Sequence, residues 1–440
     1  MSLRSSAPSS LCHRAWRLAG EIGVQPPELE RGDPWRGLPL DELLAALGEL
    51  QHRLKKQLPD RDQADAALMA SPLSGLALAL LERGDSIPVP GSGQDEQLRQ
   101  SADACRRVQV GDTVTYVVNR NLNASNHCQL RCGFCAFRRD EGASGAFRLP
   151  LEVLQQRAAE AAAEGATELC LQAGLDPRAQ LAGSHLRHAE QMLRALGDAA
   201  PGLHLHGFSP QELLFIAERD GLRLDCVLER LQAAGLSSVP GTAAEVLSDR
   251  VRRLICPEKL SSRAWLAVML QVHRHGLWST STLLAGHLET AADRAAHLLS
   301  LMALQRQALA AGAGRFSEFV LLPFVGAAAP MPLRQRVGRD QPDGRSMLRL
   351  SAQARLLLGP WIAHHQPSWV KLTLPVAAEA LDWGCDDLGG TLMEEHITTM
   401  AGARGGTRQS VQALRQAALD RGRPVRQRTT LYGQPGLSPP

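Results

Sequence analysis

The chain has 440 residues, 48 Lys plus Arg against 45 Asp plus Glu, and a formal net charge of +3. That length buries a large core and suits one big α/β unit or two or three ordinary domains, while the near-neutral balance obliges no face to meet nucleic acid or a membrane surface; a small-molecule partner is the better expectation. The longest apolar stretch, 66–81, is broken by Ser71, Pro72 and Ser74, which excludes a membrane span, and nine mostly isolated cysteines make no disulfide framework but suit a reducing, cytoplasmic setting.

Residues 1–37 carry scattered Pro, Gly and Ser with little periodicity and read as a flexible N-terminal arm. Asp41 is placed to cap a helix in which Leu43, Leu44, Leu47, Leu50 and Leu54 recur at helical spacing and which Pro59 stops. Helical sequence over 65–81, a Gly/Pro/Ser linker over 84–93 and a helix over about 96–108 follow. Residues 38–110 are therefore expected to be a helical preamble.

The β-branched run from Tyr116 ends in four asparagines, and Cys128, Cys132 and Cys135 then fall in a C-x3-C-x2-C spacing. A structural zinc site normally takes four protein ligands in two paired clusters, and no second pair lies nearby. Cubane iron–sulfur clusters usually take four cysteines, so three leave one iron open to something that is not protein. Arg131, Arg138 and Arg139 flank the loop, where cations help to keep thiols ionised or simply form a solvated basic surface.

From Tyr116 onwards strand and helix patterns alternate. Strands are expected at 168–174, 204–208, 237–240, 277–285, 318–324, 369–374 and a short one at 387–389, each followed by helical sequence. Eight such units argue for a (β/α)8 TIM-type barrel over 111–402, followed by a C-terminal helix and tail over 403–440. A doubly wound sheet is the alternative, but no Gly-rich phosphate fingerprint follows the first strand.

Several clusters fall at strand ends, where a barrel keeps its chemistry. His204 and His206 share one face of a strand and are expected to line the barrel as hydrogen-bonded histidines, or to touch a ligand. Ser209-Pro210-Gln211-Glu212 is good N-cap and first-turn sequence and also offers donors to a carboxylate or ribose. In Ser279-Thr280-Ser281-Thr282 one pair of hydroxyls must face inward and is expected to meet ligand or water. Only four of the basic residues are lysine, so Lys259 and Lys371, retained against a strong Arg bias, are candidates for positions needing a compact ammonium.

Taken together, the aromatic-CxxC core with Phe134, Leu171-Gln172-Ala173-Gly174, His204 to Pro210, Pro240 to Glu245, Ile255-Cys256-Pro257-Glu258-Lys259, Gly286 to Thr290, Trp369-Val370-Lys371-Leu372, Asp387 to Glu395 and Gln427 to Tyr432 resemble a family. It is that of the second subunit of 7,8-didemethyl-8-hydroxy-5-deazariboflavin synthase, a group of radical S-adenosylmethionine (SAM) enzymes; the menaquinone-pathway aminofutalosine synthase and futalosine cyclase share many motifs. The resemblance implies a 4Fe–4S cluster on Cys128, Cys132 and Cys135 with its fourth iron open to SAM, and SAM contacts from Phe134, Gln172, Gly174, Ser209 and Glu212. It further implies that a 5′-deoxyadenosyl radical abstracts hydrogen from L-tyrosine, and that the hydroxybenzyl fragment is added to 5-amino-6-(D-ribitylamino)uracil. A partner radical SAM subunit and an electron donor such as ferredoxin or flavodoxin come with it. Two positions depart from the family pattern: Ser125 replaces Thr, and Ala173 replaces the first glycine of Gln-Gly-Gly. The alternatives are a menaquinone-pathway radical SAM enzyme and a metal-binding barrel without turnover. No residue can be assigned a catalytic proton from sequence.

Overall fold

Ten short strands carry the architecture: β1 (Val114–Val117), β2 (Asn119–Leu122), β3 (Glu168–Leu171), β4 (His204–Gly207), β5 (Leu236–Val239), β6 (Trp278–Ala285), β7 (Phe316–Pro323), β8 (His364–Pro367), β9 (Asp387–Gly390) and β10 (Val425–Arg428). The computed structural model from which they are read describes residues 35–59, 72–86, 93–312 and 314–436. Strands β2 to β8 form a seven-stranded parallel sheet in chain order, with helices between successive strands. Alternate residues of these strands, such as Asn119 and Asn121, Glu168 and Cys170, Thr280 and Thr282, Glu318 and Val320, line one shared cavity, so the sheet curls around it.

The opening between β8 and β2 is occupied by a second parallel sheet, in which β1 lies between β9 and β10. The Asp386 amide donates to the His365 carbonyl beside β8, and the Asn121 amide of β2 donates to Leu392 just past β9. The α/β barrel class read from the sequence is the one found, but its last members differ. Trp369–Leu372, expected as a strand, is a helical turn that buries Trp369, Val370 and Leu372; the strand before it is the polar His364–Pro367. Tertiary pairing with β7 overrides local propensity there.

The preamble consists of helices Leu40–Lys56, Pro72–Ser86 and Gly93–Val110. Asp41 sits inside the first turn and Pro39 holds the cap position, so the aspartate complements the helix dipole rather than capping. Leu40, Leu43, Leu47 and Leu50 face inward at helical spacing. Gln51 donates to the carbonyls of Leu356 and Leu357, and Arg349 pairs with Asp95 at 2.6 Å, so these helices dock on helix Gly344–Leu358. Most of the expected arm, 1–34, and most of the linker, 87–92, lie outside the described residues, as does 60–71.

Candidate active site

The loop between β2 and the next helix carries all three cysteines of the motif, and Cys128, Cys132 and Cys135 all line the cavity. Backbone bonds to distant segments hold the loop: Gln129 N donates to Leu175 O at 3.0 Å, and Gly133 N to Ile255 O at 2.7 Å. The Arg131 amide donates to Glu258 at 2.6 Å. Asn126 is fully buried and clamps the returning chain, donating from Nδ2 to Gly145 O and accepting from Phe147 N. Ser125, the serine in place of threonine, donates to Asp176 at 2.9 Å. Arg138 lines the cavity and donates to the Cys128 carbonyl at 3.2 Å, whereas the Arg131 side chain is largely exposed.

Three sulfur donors on one cavity fit an iron–sulfur cluster better than zinc. Among the described residues no group of three His, Cys, Asp or Glu side chains converges as a single metal ion requires, whereas a cubane takes each thiolate at a separate corner. Burial pushes the Cys132 thiol up to about 12, against the opposing pull of Lys259. The Lys259 ammonium lies 2.5 Å from Glu245 and 5.3 Å from the centre of the Phe134 ring, a cation–π distance. It thus ties the β5 end to the cysteine loop. Ala243 and Glu245 reach this arrangement with φ of 64° and 46°, a left-handed backbone that non-glycine residues adopt only where surroundings enforce it.

Gln172 and Gly174 follow β3 and line the same cavity. Gly174 donates to the Ser125 carbonyl at 2.8 Å, and a Cβ placed on it would stand 2.0 Å from His127 O. Only glycine permits the β3 turn to approach the cysteine loop so closely. Ser209 caps helix Pro210–Asp220 in a reciprocal capping box with Glu212. The partly buried Glu212 carboxylate also accepts from Ala173 N at 3.2 Å, so the helix start anchors the Gln172–Gly174 turn. Burial raises the Glu212 carboxyl above its ordinary value, opposed by these bonds.

The inward pair on β6 is Thr280 and Thr282. Contrary to expectation, their hydroxyls are used by protein: Thr280 Oγ1 accepts from Gly241 N at 2.7 Å and Thr282 Oγ1 donates to Gly241 O at 2.8 Å. His204 and His206 both meet Ser238 Oγ at 2.6 Å, which makes them the hydrogen-bonded histidines anticipated, and His206 reaches the cavity.

The cavity floor holds groups that sequence reading missed. Asn119 donates to Glu168 at 2.8 Å; Glu318 lies beside them, its carboxyl pushed up by burial to about 7; and Arg428 arrives from β10. Arg428 pairs with the buried Asp387 and lies 4.1 Å from the Tyr432 ring centre. An acid in the middle of apolar β7 was the available signal for Glu318. Arg428 and Asp387 stood in two of the motifs that carry the resemblance, but nothing in the sequence paired them across 41 residues. The cavity as a whole is about 400 Å³.

The barrel with a three-cysteine loop at its mouth defines a class. Residues 122–301 match the Radical SAM superfamily. The fold is similar to methylornithine synthase (TM-score 0.61, 14% identity, 80% of this chain and 93% of that one) and to the FeFe-hydrogenase maturase HydG from Carboxydothermus hydrogenoformans (TM-score 0.60, 15% identity, 96% and 85%). That superfamily implies a 4Fe–4S cluster and SAM. Among curated relatives, the 5-amino-6-(D-ribitylamino)uracil--L-tyrosine 4-hydroxyphenyl transferase of Synechocystis sp. is 56% identical over 338 residues, 77% of this chain and 86% of its own length. The enzyme of the same name from Synechococcus elongatus is 53% identical over 372 residues, 83% and 95%. The chain belongs to this family of 4-hydroxyphenyl transferases, as its motifs led us to expect. Among the described residues no helix is long and apolar enough to cross a membrane.

Proposed function

We propose that the protein is a radical SAM transferase that moves the 4-hydroxybenzyl group of L-tyrosine onto 5-amino-6-(D-ribitylamino)uracil, a step toward the deazaflavin chromophore. The observation that carries this reading is the opening of three loop thiols onto the same cavity as a floor of hydrogen-bonding side chains. Cys128, Cys132 and Cys135 are the residues that would hold the cluster. Cluster and SAM together supply a 5′-deoxyadenosyl radical.

The chain's own residues bind, orient and exclude water. Phe134 and Gln172 face the space beside the cysteines and are the side chains suited to meet SAM. Gly174 serves by allowing close approach. Ser209 and Glu212, whose oxygens are engaged with each other and with Ala173, act as positioning residues behind Gln172. Glu168, Glu318, His206 and Asn119 offer acceptors and donors to an uncharged uracil and its ribityl hydroxyls. The enclosing barrel limits quenching of a reactive intermediate by water. A one-electron donor such as ferredoxin or flavodoxin, and the partner radical SAM subunit that closes the ring system, complete the reading.

The test is anaerobic reconstitution followed by mass spectrometry of reactions containing dithionite, SAM and either tyrosine plus the ribitylaminouracil or aminodeoxyfutalosine-type substrates. A hydroxybenzyl adduct only in the first mixture is expected, from protein carrying about four irons. Stoichiometric zinc without iron, or turnover only in the second mixture, would overturn it. Alanine at any of the three cysteines should abolish iron loading while leaving the helical circular dichroism intact.

A further inference from the structure

Two of the chain's four lysines line the cavity, and they differ in one respect. Lys259 is committed to Glu245 at 2.5 Å. Lys371, on the helical turn after β8, has no hydrogen bond or ion pair to its ammonium among the described residues. The acids whose fields reach it are Glu395 and Glu245. Both are engaged elsewhere: Glu395 accepts from the amides of Thr398 and Thr399 at 2.8 to 3.1 Å, and Glu245 from Lys259. Lys371 is thus a half-buried cation facing the cavity without a dedicated counter-ion.

Its position is fixed rather than accidental. Trp369 Nε1 donates to Gly390 O at 3.0 Å, Gly405 N donates to Val370 O at 3.1 Å, and the turn ends at Thr373 with φ of 75°. A backbone so mounted holds the Lys371 side chain at the cavity wall, within reach of an anion that enters the cavity.

We propose that Lys371 binds the α-carboxylate of the amino-acid substrate. This rests on the function proposed above and narrows it. Three arguments select that carboxylate. The ribitylaminouracil is uncharged and matches the floor, where Glu168 would repel an anion and the Arg428 cation is already paired with Asp387. SAM would take up the open iron beside the cysteines, and it is Lys259, not Lys371, that lies over Phe134 of that loop and feels the charge of Cys132. A compact ammonium suits a single carboxylate oxygen in a confined space, and lysine is kept here in a chain that otherwise uses arginine.

The experiment measures product formation and SAM binding in reconstituted wild type, Lys371→Met and Lys371→Gln, with tyrosine and with tyramine, which lacks the carboxylate. A charge-assisted contact of this kind predicts a roughly 10- to 100-fold rise in KM for tyrosine in both variants. Wild type should prefer tyrosine over tyramine by a similar factor, and the variants should lose that preference. Iron content and the change that SAM produces in the spectrum of the reduced cluster should match wild type. Unchanged KM for tyrosine, equal weakening with tyrosine and tyramine, or a lost SAM signature would each overturn the assignment. Failure of wild type to form any hydroxybenzyl product would instead remove the function on which it rests.

Discussion

Lys259 Nζ and Glu245 Oε1 lie 2.5 Å apart, buried at the mouth of the barrel, and join the loop after β5 to the segment that supports the cysteines. Removing one partner of such a pair leaves a buried charge without compensation, which ordinarily costs about 3–5 kcal/mol. Lys259→Met should therefore lower the urea midpoint sharply and reduce iron loading, because Phe134 loses the cation over its ring. The double variant Lys259→Met/Glu245→Gln should recover much of the midpoint. A single variant as stable as wild type would show that the pair does not anchor this mouth.

Gly174→Ala tests the closeness of the β3 turn to the cysteine loop. The new methyl would meet His127 O at 2.0 Å, so the loop must move. Overpacking of this kind costs about 1–3 kcal/mol. The expected result is a modest loss of stability with a larger loss of bound iron, read by denaturation and iron assay. Ala173→Gly, which restores the family's residue beside it, should leave both near wild type.

At the floor, Arg428→Met should destabilise by about 3–5 kcal/mol, since Asp387 would remain buried without its guanidinium. Arg428→Met/Asp387→Asn should be closer to wild type than either single change. Additive losses in the double variant, measured by urea unfolding, would mean that the two side chains act independently.

Glu318 gives the pH prediction. Burial raises its carboxyl from 4.5 to about 7, so the folded state holds that proton more tightly than the unfolded chain. The resulting destabilisation is absent below about pH 4.5, grows as pH rises and is complete above about pH 7. At about 1.4 kcal/mol per pH unit its full size is roughly 3 kcal/mol. Glu318→Gln removes it, so the variant's advantage over wild type should widen by roughly 2 kcal/mol between pH 5.5 and pH 8. Urea midpoints at the two pH values check this; a constant gap would mean that burial does not raise the Glu318 carboxyl.

What could be read before folding was what is local in sequence. The Ser209 N-cap with Glu212 in the first turn and the side-by-side histidines each lie within a few residues, and each has the geometry expected. Trp369–Leu372 misled because an apolar run of four is equally a buried strand or a buried turn, and its neighbours decide. Thr280 and Thr282 were rightly turned inward, but the backbone of Gly241, 39 and 41 residues away, took their hydroxyls. The assembly of the floor was hidden for the same reason: Glu168, Glu318, Asp387 and Arg428 come from four strands, and no periodicity announces their meeting.

The pairing of β1 has a consequence for how the molecule is made. Thr115 on this first strand hydrogen-bonds to Asp387 at 2.5 Å across 272 residues, and its other neighbour, β10, emerges later still. On the ribosome, β2 to β8 can pair in the order of their synthesis, yet β1 must wait with both edges bare until β9 has appeared, and with one edge bare until the residues around 425 follow. Closure of the floor is then a late event in biogenesis, and a chain interrupted before β10 would present an open-ended barrel to the machinery that inserts iron.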